Sequence, residues 1–180
     1  MERKKNIILI GFMGSGKTTV GLNLSYKLRT PVEDTDKLIE QREGKTIREI
    51  FAQEGEAYFR KRETELLKEI KERNYHRIIS VGGGTPVDPV NRKLLKECGT
   101  VIYFRVKPET VYQRVKHDTT RPLLQCDDPL AKIKELLEAR KEAYEECADI
   151  IIDVDELSQD KIADIIVDRI GGGTNEDISD

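Results

Sequence analysis

Short apolar runs at residues 7–10, 78–81, 100–106 and 150–152 punctuate a chain that is otherwise amphipathic and heavily charged. Runs this short, with little polar alternation, mark strands buried on both faces. A weaker run over 31–36 ends in Asp34-Thr35-Asp36 and reads as a further short strand closing on acidic residues. Between the runs the apolar spacing lengthens to that of a helix. Val20, Leu24 and Leu28 fall on one helical face, and Leu66, Leu67 and Ile70 form the stripe of a long helix through Arg73. A brief helix over 37–42 is stopped by Gly44. Thr46-Ile47-Arg48-Glu49 reads as the capping box of another, which Gly55 breaks from the long one. Further helices are predicted over about 91–97, 108–116 (with Pro108 in the first turn), 130–147 and 158–170.

Strands alternating with helices predict an α/β domain whose parallel sheet is covered on both faces, in one unit spanning residues 1–170. Residues 117–129 carry two prolines and no sustained period, a loop long enough to serve as a lid. The polar, glycine-led tail over 171–180 is expected to be disordered.

Composition narrows the partners. Charged residues make up 36% of the 180, yet the net charge is only −3, so no basic field draws the chain to nucleic acid or to an anionic membrane. No apolar run approaches the roughly 20 residues of a membrane span, and the N-terminus lacks the apolar core of a secretion signal. The three cysteines, Cys98, Cys126 and Cys147, lack metal-site spacing and fit a reducing cytoplasm. Neither His76 nor His117 has a partner at metal or triad spacing.

The first apolar run leads directly into Gly11-Phe12-Met13-Gly14-Ser15-Gly16-Lys17-Thr18-Thr19, of the form G-x-x-x-x-G-K-[ST]. Gly11, Gly14 and Gly16 let the backbone bring its N–H groups, including those of Ser15 and Thr19, onto phosphate oxygens, and the following helix adds its positive end. Lys17 is spaced to reach the β- and γ-phosphates and the Thr18 hydroxyl to bind Mg²⁺. A glycine turn that caps a helix by coincidence is the plain alternative, against which the flanking strand and helix both weigh. The stretch reads as a nucleoside triphosphate site.

Other constellations are weaker singly. Asp34 and Asp36, two apart at a strand end, suit a metal and an acceptor hydroxyl, as phosphoryl transfer requires, or they form an acidic turn capping the next helix. Arg60 and Glu63 share a helical face, as a solvated ion pair also would. Gly82-Gly83-Gly84 follows a strand and can lay its amides against a substrate, or simply turn. Arg121 lies in the lid segment, able to close on a transferring phosphate or to stay an exposed loop arginine. Arg140, one turn before Tyr144, offers a planar fork to a carboxylate, or is one more exposed helix arginine.

In this order, the phosphate loop, Asp34-Thr35-Asp36, Phe59-Arg60-x-x-Glu63, Gly82-Gly83-Gly84, Arg121-Pro122-Leu123-Leu124 and Arg140-x-x-x-Tyr144 resemble the shikimate kinase family over residues 6–170. The resemblance implies a P-loop fold like that of nucleoside monophosphate kinases, with a five-stranded parallel sheet in the order 2-3-1-4-5 and a lid. It implies ATP-dependent phosphorylation of the 3-hydroxyl of shikimate, giving shikimate 3-phosphate and ADP, in chorismate and aromatic amino-acid biosynthesis. By the same resemblance Lys17 and Thr18 serve ATP and Mg²⁺, and Asp34 lies near the metal. Asp36, Arg60, Gly82, Gly83, Gly84 and Arg140 contact shikimate, Arg121 is the lid arginine, and Arg114 stacks on adenine. Lys17, Asp36 and Arg121 are the expected catalytic trio, and the adenine-side segment falls over 153–157. A cytoplasmic monomer acting on small molecules, without nucleic acid or membrane, is expected. Gluconate kinase remains the nearest enzymatic alternative. A nucleotide-dependent switch is the alternative from another class, although no N-K-x-D segment is present. The intact Lys17, Asp36 and Arg121 argue against a silent relative.

Overall fold

Residue Asn6 opens the first strand of a five-stranded parallel sheet in the computed structural model, which describes residues 6–171. This strand, β1 (Asn6–Gly11), is buried along its whole length because it has neighbours on both edges and helices above and below. The strands β2 (Val32–Asp34), β3 (Ile78–Ser80), β4 (Gly99–Arg105) and β5 (Ile150–Asp153) complete the order β2-β3-β1-β4-β5. Ile7 pairs with Ile78 on one side and with Thr100 on the other. That order agrees with the sequence expectation.

Helix α1 (Lys17–Leu28) packs on α8 (Gln159–Gly171), while α5 (Pro89–Cys98) lies between α4 (Glu56–Glu72) and α7 (Pro129–Cys147). The fully buried Ile8, Leu9 and Ile10 fill the interior between these groups. The short helices α2 (Thr35–Glu43) and α3 (Ile47–Glu54) precede α4, and α6 (Pro108–Val115) precedes the segment read as a lid. The capping box forms as predicted: the Glu49 amide donates to Thr46 Oγ1 at 3.2 Å, and the Thr46 amide donates to Glu49 Oε2 at 2.8 Å.

Several boundaries differ from the sequence reading. The strand expected over 31–36 stops at Asp34, whose carboxylate caps α2 by accepting from the Lys37 amide at 3.2 Å. Asp36 therefore rides the first turn of a helix rather than a strand end, since an Asp cap starts a helix more readily than the acidic run extends a strand. Helix α5 starts at Pro89, two residues before the expected 91, because Asp88 caps it by accepting from the Val90 amide at 2.8 Å. Asp128 likewise caps α7, so the helix takes Pro129, the last residue of the expected lid, and a 3-10 turn at Pro122–Leu124 interrupts the rest. Gly171, assigned to the tail, closes α8; residues 172–180 of that expected tail lie outside the described residues.

Asn6 also ties the amino-terminal ends of three strands together. Its side chain donates to the Cys98 carbonyl at 3.0 Å and accepts from the Arg77 amide at 2.9 Å. Gly99 faces it across the β1–β4 ladder with no room for a side chain: a Cβ there would overlap the Asn6 backbone. Gly99→Ala is expected to force the two strands apart and lower the melting temperature by about 4–8 °C, the response to roughly 2 kcal/mol of overpacking. Wild-type melting of this variant would contradict that packing.

Candidate active site

The carboxyl ends of β1, β2 and β3 open into a single cleft of about 960 Å³, the usual ligand position in a parallel sheet. On one side lies the loop between β1 and α1. Gly14 and Gly16 hold φ of 72° and 95°, which only glycine adopts without strain, and no side chain caps α1 at Gly16. The first-turn amides of α1 therefore point into the cleft as anion donors. Ser15 Oγ is buried there without a hydrogen-bond partner in the protein.

Lys17 Nζ donates to the Gly11 carbonyl at 2.6 Å and to the Phe12 carbonyl at 3.2 Å, folded back along its own loop. Burial pushes its pKa down to about 8; Asp36 and Asp34 pull it upward, and Arg121 and Arg140 push it further down. Arg114 donates to the Gly14 carbonyl at 2.8 Å. It braces the outer edge of the loop and does not line the cleft.

The opposite side is built from α2, α4, α7 and the glycine turn after β3. Burial, followed by the charges of Asp34 and Glu63, raises the Asp36 carboxyl to about 6 against the pull of Lys17 and Arg60. Its Oδ1 is buried with no hydrogen-bond partner in the protein. It stands so close to Gly82 that a Cβ added there would lie 2.7 Å away. A Cβ on Gly84 would overlap the Arg60 guanidinium, and one on Gly83 would meet Arg140 Nη1 at 3.5 Å. A side chain at 82 or 84 would have to displace Asp36 or Arg60 from these positions.

Arg60 and Glu63 are not the solvated pair their spacing allows. Glu63 is only 2% exposed. Its Oε2 accepts from Arg60 Nη1 at 2.8 Å and its Oε1 accepts from Thr85 Oγ1 at 2.5 Å. Tyr144 OH donates to the Gly83 carbonyl at 2.6 Å, and the Arg140 guanidinium stands 5.6 Å from the Phe12 ring centroid. The Gly82 amide is already engaged, donating to Thr35 Oγ1 at 3.3 Å. Arg121 donates from Nε to Asp118 Oδ2 at 2.9 Å, which tethers it to its own segment at the cleft's edge.

The structure thus brings Lys17, Thr18, Thr19, Asp34, Asp36, Arg60, the three glycines, Arg121 and Arg140 to one cavity. Sequence reasoning gave no part to Thr85 or Thr35, buried residues that brace Glu63 and the Gly82 amide, since both act through partners more than twenty residues away. A divalent cation takes oxygen donors, few of them from protein when phosphates supply the rest. The Thr18 hydroxyl and the Asp34 carboxylate face the same cleft beside the phosphate loop and fit that chemistry. Among the described residues no cluster of three or more His, Cys, Asp or Glu forms a closed metal cage.

Known proteins resemble this chain in sequence and fold. The family model for shikimate kinase matches residues 13–171. A shikimate kinase of Dechloromonas aromatica is 43% identical over 153 residues, 85% of this chain and 83% of that protein. The solved structure of shikimate kinase from Acinetobacter baumannii in complex with shikimate superposes with a TM-score of 0.89 at 38% identity, covering 97% of both chains. A gluconokinase from Sinorhizobium meliloti, at 14% identity and a TM-score of 0.55 over 97% of this chain and 99% of its own, shares the fold alone. With the family model spanning nearly all of the described residues and a relative 43% identical over 85% of this chain, the chain belongs to the shikimate kinase family.

Proposed function

We propose that the chain transfers the γ-phosphoryl group of ATP to the 3-hydroxyl of shikimate, releasing ADP and shikimate 3-phosphate for aromatic amino-acid biosynthesis. One observation carries this reading: two guanidiniums, Arg60 and Arg140, flank Gly84 and Gly83 in the same cleft as Asp36 and the phosphate loop. Two planar forks answer one carboxylate. Asp36 and the amides of Gly83 and Gly84 answer hydroxyls, and Gly82 contributes its close approach to Asp36.

In this reading the amides of Gly11, Gly14, Ser15, Gly16, Lys17, Thr18 and Thr19 surround the phosphates, and Arg114 stacks on adenine at the loop's outer edge. Lys17 leaves its own loop carbonyls for the β- and γ-phosphates, where its charge offsets theirs. Thr18 and Asp34 would hold Mg²⁺, which when bound neutralises charge on the phosphate oxygens. Asp36 orients the acceptor hydroxyl and is placed to receive its proton. The new bond joins the shikimate oxygen to the γ-phosphorus, the bridge to the β-phosphate breaks, and ADP leaves with that bridging oxygen. Arg121 swings from Asp118 onto the transferred group as the segment around it closes, which excludes water. Every group needed comes from a single chain, which supports a monomer. Among the described residues no helix is long and apolar enough to cross a membrane, and a small-molecule reaction of this kind suits the cytoplasm.

A coupled ADP-release assay across shikimate, gluconate and nucleoside monophosphates tests the reading. Turnover is expected with shikimate alone; turnover of another acceptor, or ATP hydrolysis indifferent to any acceptor, contradicts it. Arg121→Ala is expected to lose about two to three decades in kcat while both substrates still bind, since its contact forms mainly in the transition state. A defect confined to shikimate affinity would remove Arg121 from the chemistry.

The raised pKa of Asp36 makes a separate prediction about stability. The folded chain holds the Asp36 proton more tightly than the unfolded chain, whose aspartate titrates near 3.8. The penalty for ionising it is absent below about pH 4, grows between pH 4 and 6, and is complete above about pH 6. Asp36→Asn is therefore expected to abolish turnover yet raise the unfolding free energy at pH 7.5 by about 1–3 kcal/mol. The gain should shrink towards zero at pH 4, as read by urea titration at both pH values. A variant less stable than wild type at pH 7.5 would show that the carboxylate is fully compensated by its cationic neighbours.

A further inference from the structure

Asn91 and Arg92 take no part in the chemistry above, yet both are aimed at the turn that carries it. Asn91 is wholly buried near the start of α5. Its Nδ2 donates to the Thr85 carbonyl at 3.1 Å, and its Oδ1 accepts from Thr64 Oγ1 of α4 at 2.7 Å. That same hydroxyl lies 3.1 Å from the carbonyl of Arg60. Arg92 Nη1 donates to the carbonyls of Pro86 and Val87 at 3.0 Å each, and its Nε stands 3.4 Å from Glu146 Oε2 on α7. Three consecutive carbonyls of the 3-10 turn Thr85–Val87 are thus held by two consecutive side chains.

The turn's remaining ties fix the glycines in place. The Thr85 amide donates to the Gly82 carbonyl and the Val87 amide to the Gly84 carbonyl, both at 3.1 Å. The glycine segment is therefore continuous with whatever holds residues 85–87. Gly84 is pressed against the Arg60 guanidinium, and Gly83 lies beside that of Arg140, where an added Cβ would stand 3.5 Å from Nη1. A displacement of the turn by a few tenths of an ångström would alter both contacts together.

We propose that Asn91 and Arg92 are positioning residues for the acceptor: they set the glycine turn between α4 and α7, and through it the spacing of Arg60 and Arg140. The inference rests on the acceptor-site reading above. Asn91 anchors the turn to the helix that carries Arg60, and Arg92 anchors it to the helix that carries Arg140. A carboxylate bound by two planar forks is sensitive to their separation, because each bond has a narrow angular range. The hydrogen bonds and ion pair of the two side chains end on residues 64, 85–87 and 146, away from the phosphate loop. Nucleotide affinity is accordingly left alone.

The test compares wild type with Asn91→Leu, Arg92→Met and Arg92→Lys, titrated calorimetrically with shikimate and separately with ADP, alongside steady-state kinetics and thermal melts. Asn91→Leu and Arg92→Met are expected to weaken shikimate binding by about tenfold and raise its KM in parallel. ADP affinity and kcat at saturation should stay within about twofold. Arg92→Lys, which keeps a cationic donor for the carbonyls, should recover most of the loss. Arg92 is partly exposed, so its variants keep the test open should Asn91→Leu fail to fold. Unchanged shikimate affinity in folded Arg92→Met, with or without a lowered melting temperature, overturns the inference. So does an equal loss for shikimate and ADP, the mark of a general structural role. Wild-type protein that binds no shikimate overturns the functional reading and the inference with it, whereas wild-type binding matched by the variants overturns the inference alone.

Discussion

Glu63 is a carboxylate held almost entirely out of water, and the acceptor half of the cleft depends on how its two oxygens are used. Burial pushes its pKa up, while the Arg60 guanidinium and the Thr85 hydroxyl hold it down. A buried charge persists only where it is paired and hydrogen-bonded. Here one oxygen faces Arg60 on α4 and the other faces Thr85 on the turn after β3. The pairing therefore does more than neutralise: it joins a helix to a loop, and neither can shift without leaving a buried charge exposed to an apolar neighbour. Arg60 is held at Nη1 by Glu63 at 2.8 Å and at Nη2 by Glu56 at 3.3 Å, which together fix the plane of its guanidinium. Gly84 lies against that guanidinium, so a side chain there would push Arg60 out of its place.

The same economy of fixed charge runs through the rest of the cleft. Asp36 and Lys17 are each displaced from their ordinary pKa values, the first up to about 6 and the second down to about 8, and in both burial is the largest cause. Groups held this way are poor for stability and good for recognition. They need no rearrangement of solvent when a charged partner arrives, and the low local dielectric strengthens each contact. The folded chain carries that strain on a sheet whose central strand is buried throughout and whose amino-terminal edge is stitched by Asn6.

What was legible in the sequence divides along the range of the interactions involved. The phosphate loop was legible because its chemistry is contiguous: strand, glycines, Lys17 and helix follow one another with nothing supplied from elsewhere. The apolar runs gave four of the strands for the same reason, and Thr46 with Glu49 made a local cap that formed as expected. Asp36 was seated on the wrong element because Asp34 can end a strand or cap a helix, and only the ladder beyond it decides. Arg60 and Glu63 were visible as a pair but not as a buried one, since spacing of three along a helix is identical for exposed and buried faces. Thr35 on Gly82, Thr85 on Glu63 and Asn91 on Thr64 were beyond reach altogether, because their partners are 47, 22 and 27 residues away. The strand order and the adenine-side role expected of Arg114 came from family resemblance and not from the pattern of residues.

On the proposed function the acceptor site is assembled before either substrate arrives, with Glu63 as its pin. The most direct measurement is a calorimetric titration of the nucleotide-free protein with shikimate, wild type beside Glu63→Gln. Wild type should bind one shikimate per chain without nucleotide, and Glu63→Gln, which keeps the shape but not the charge that orients Arg60, should bind it at least about tenfold more weakly. No binding by wild type until nucleotide is added, or equal affinity in the two proteins, would contradict it.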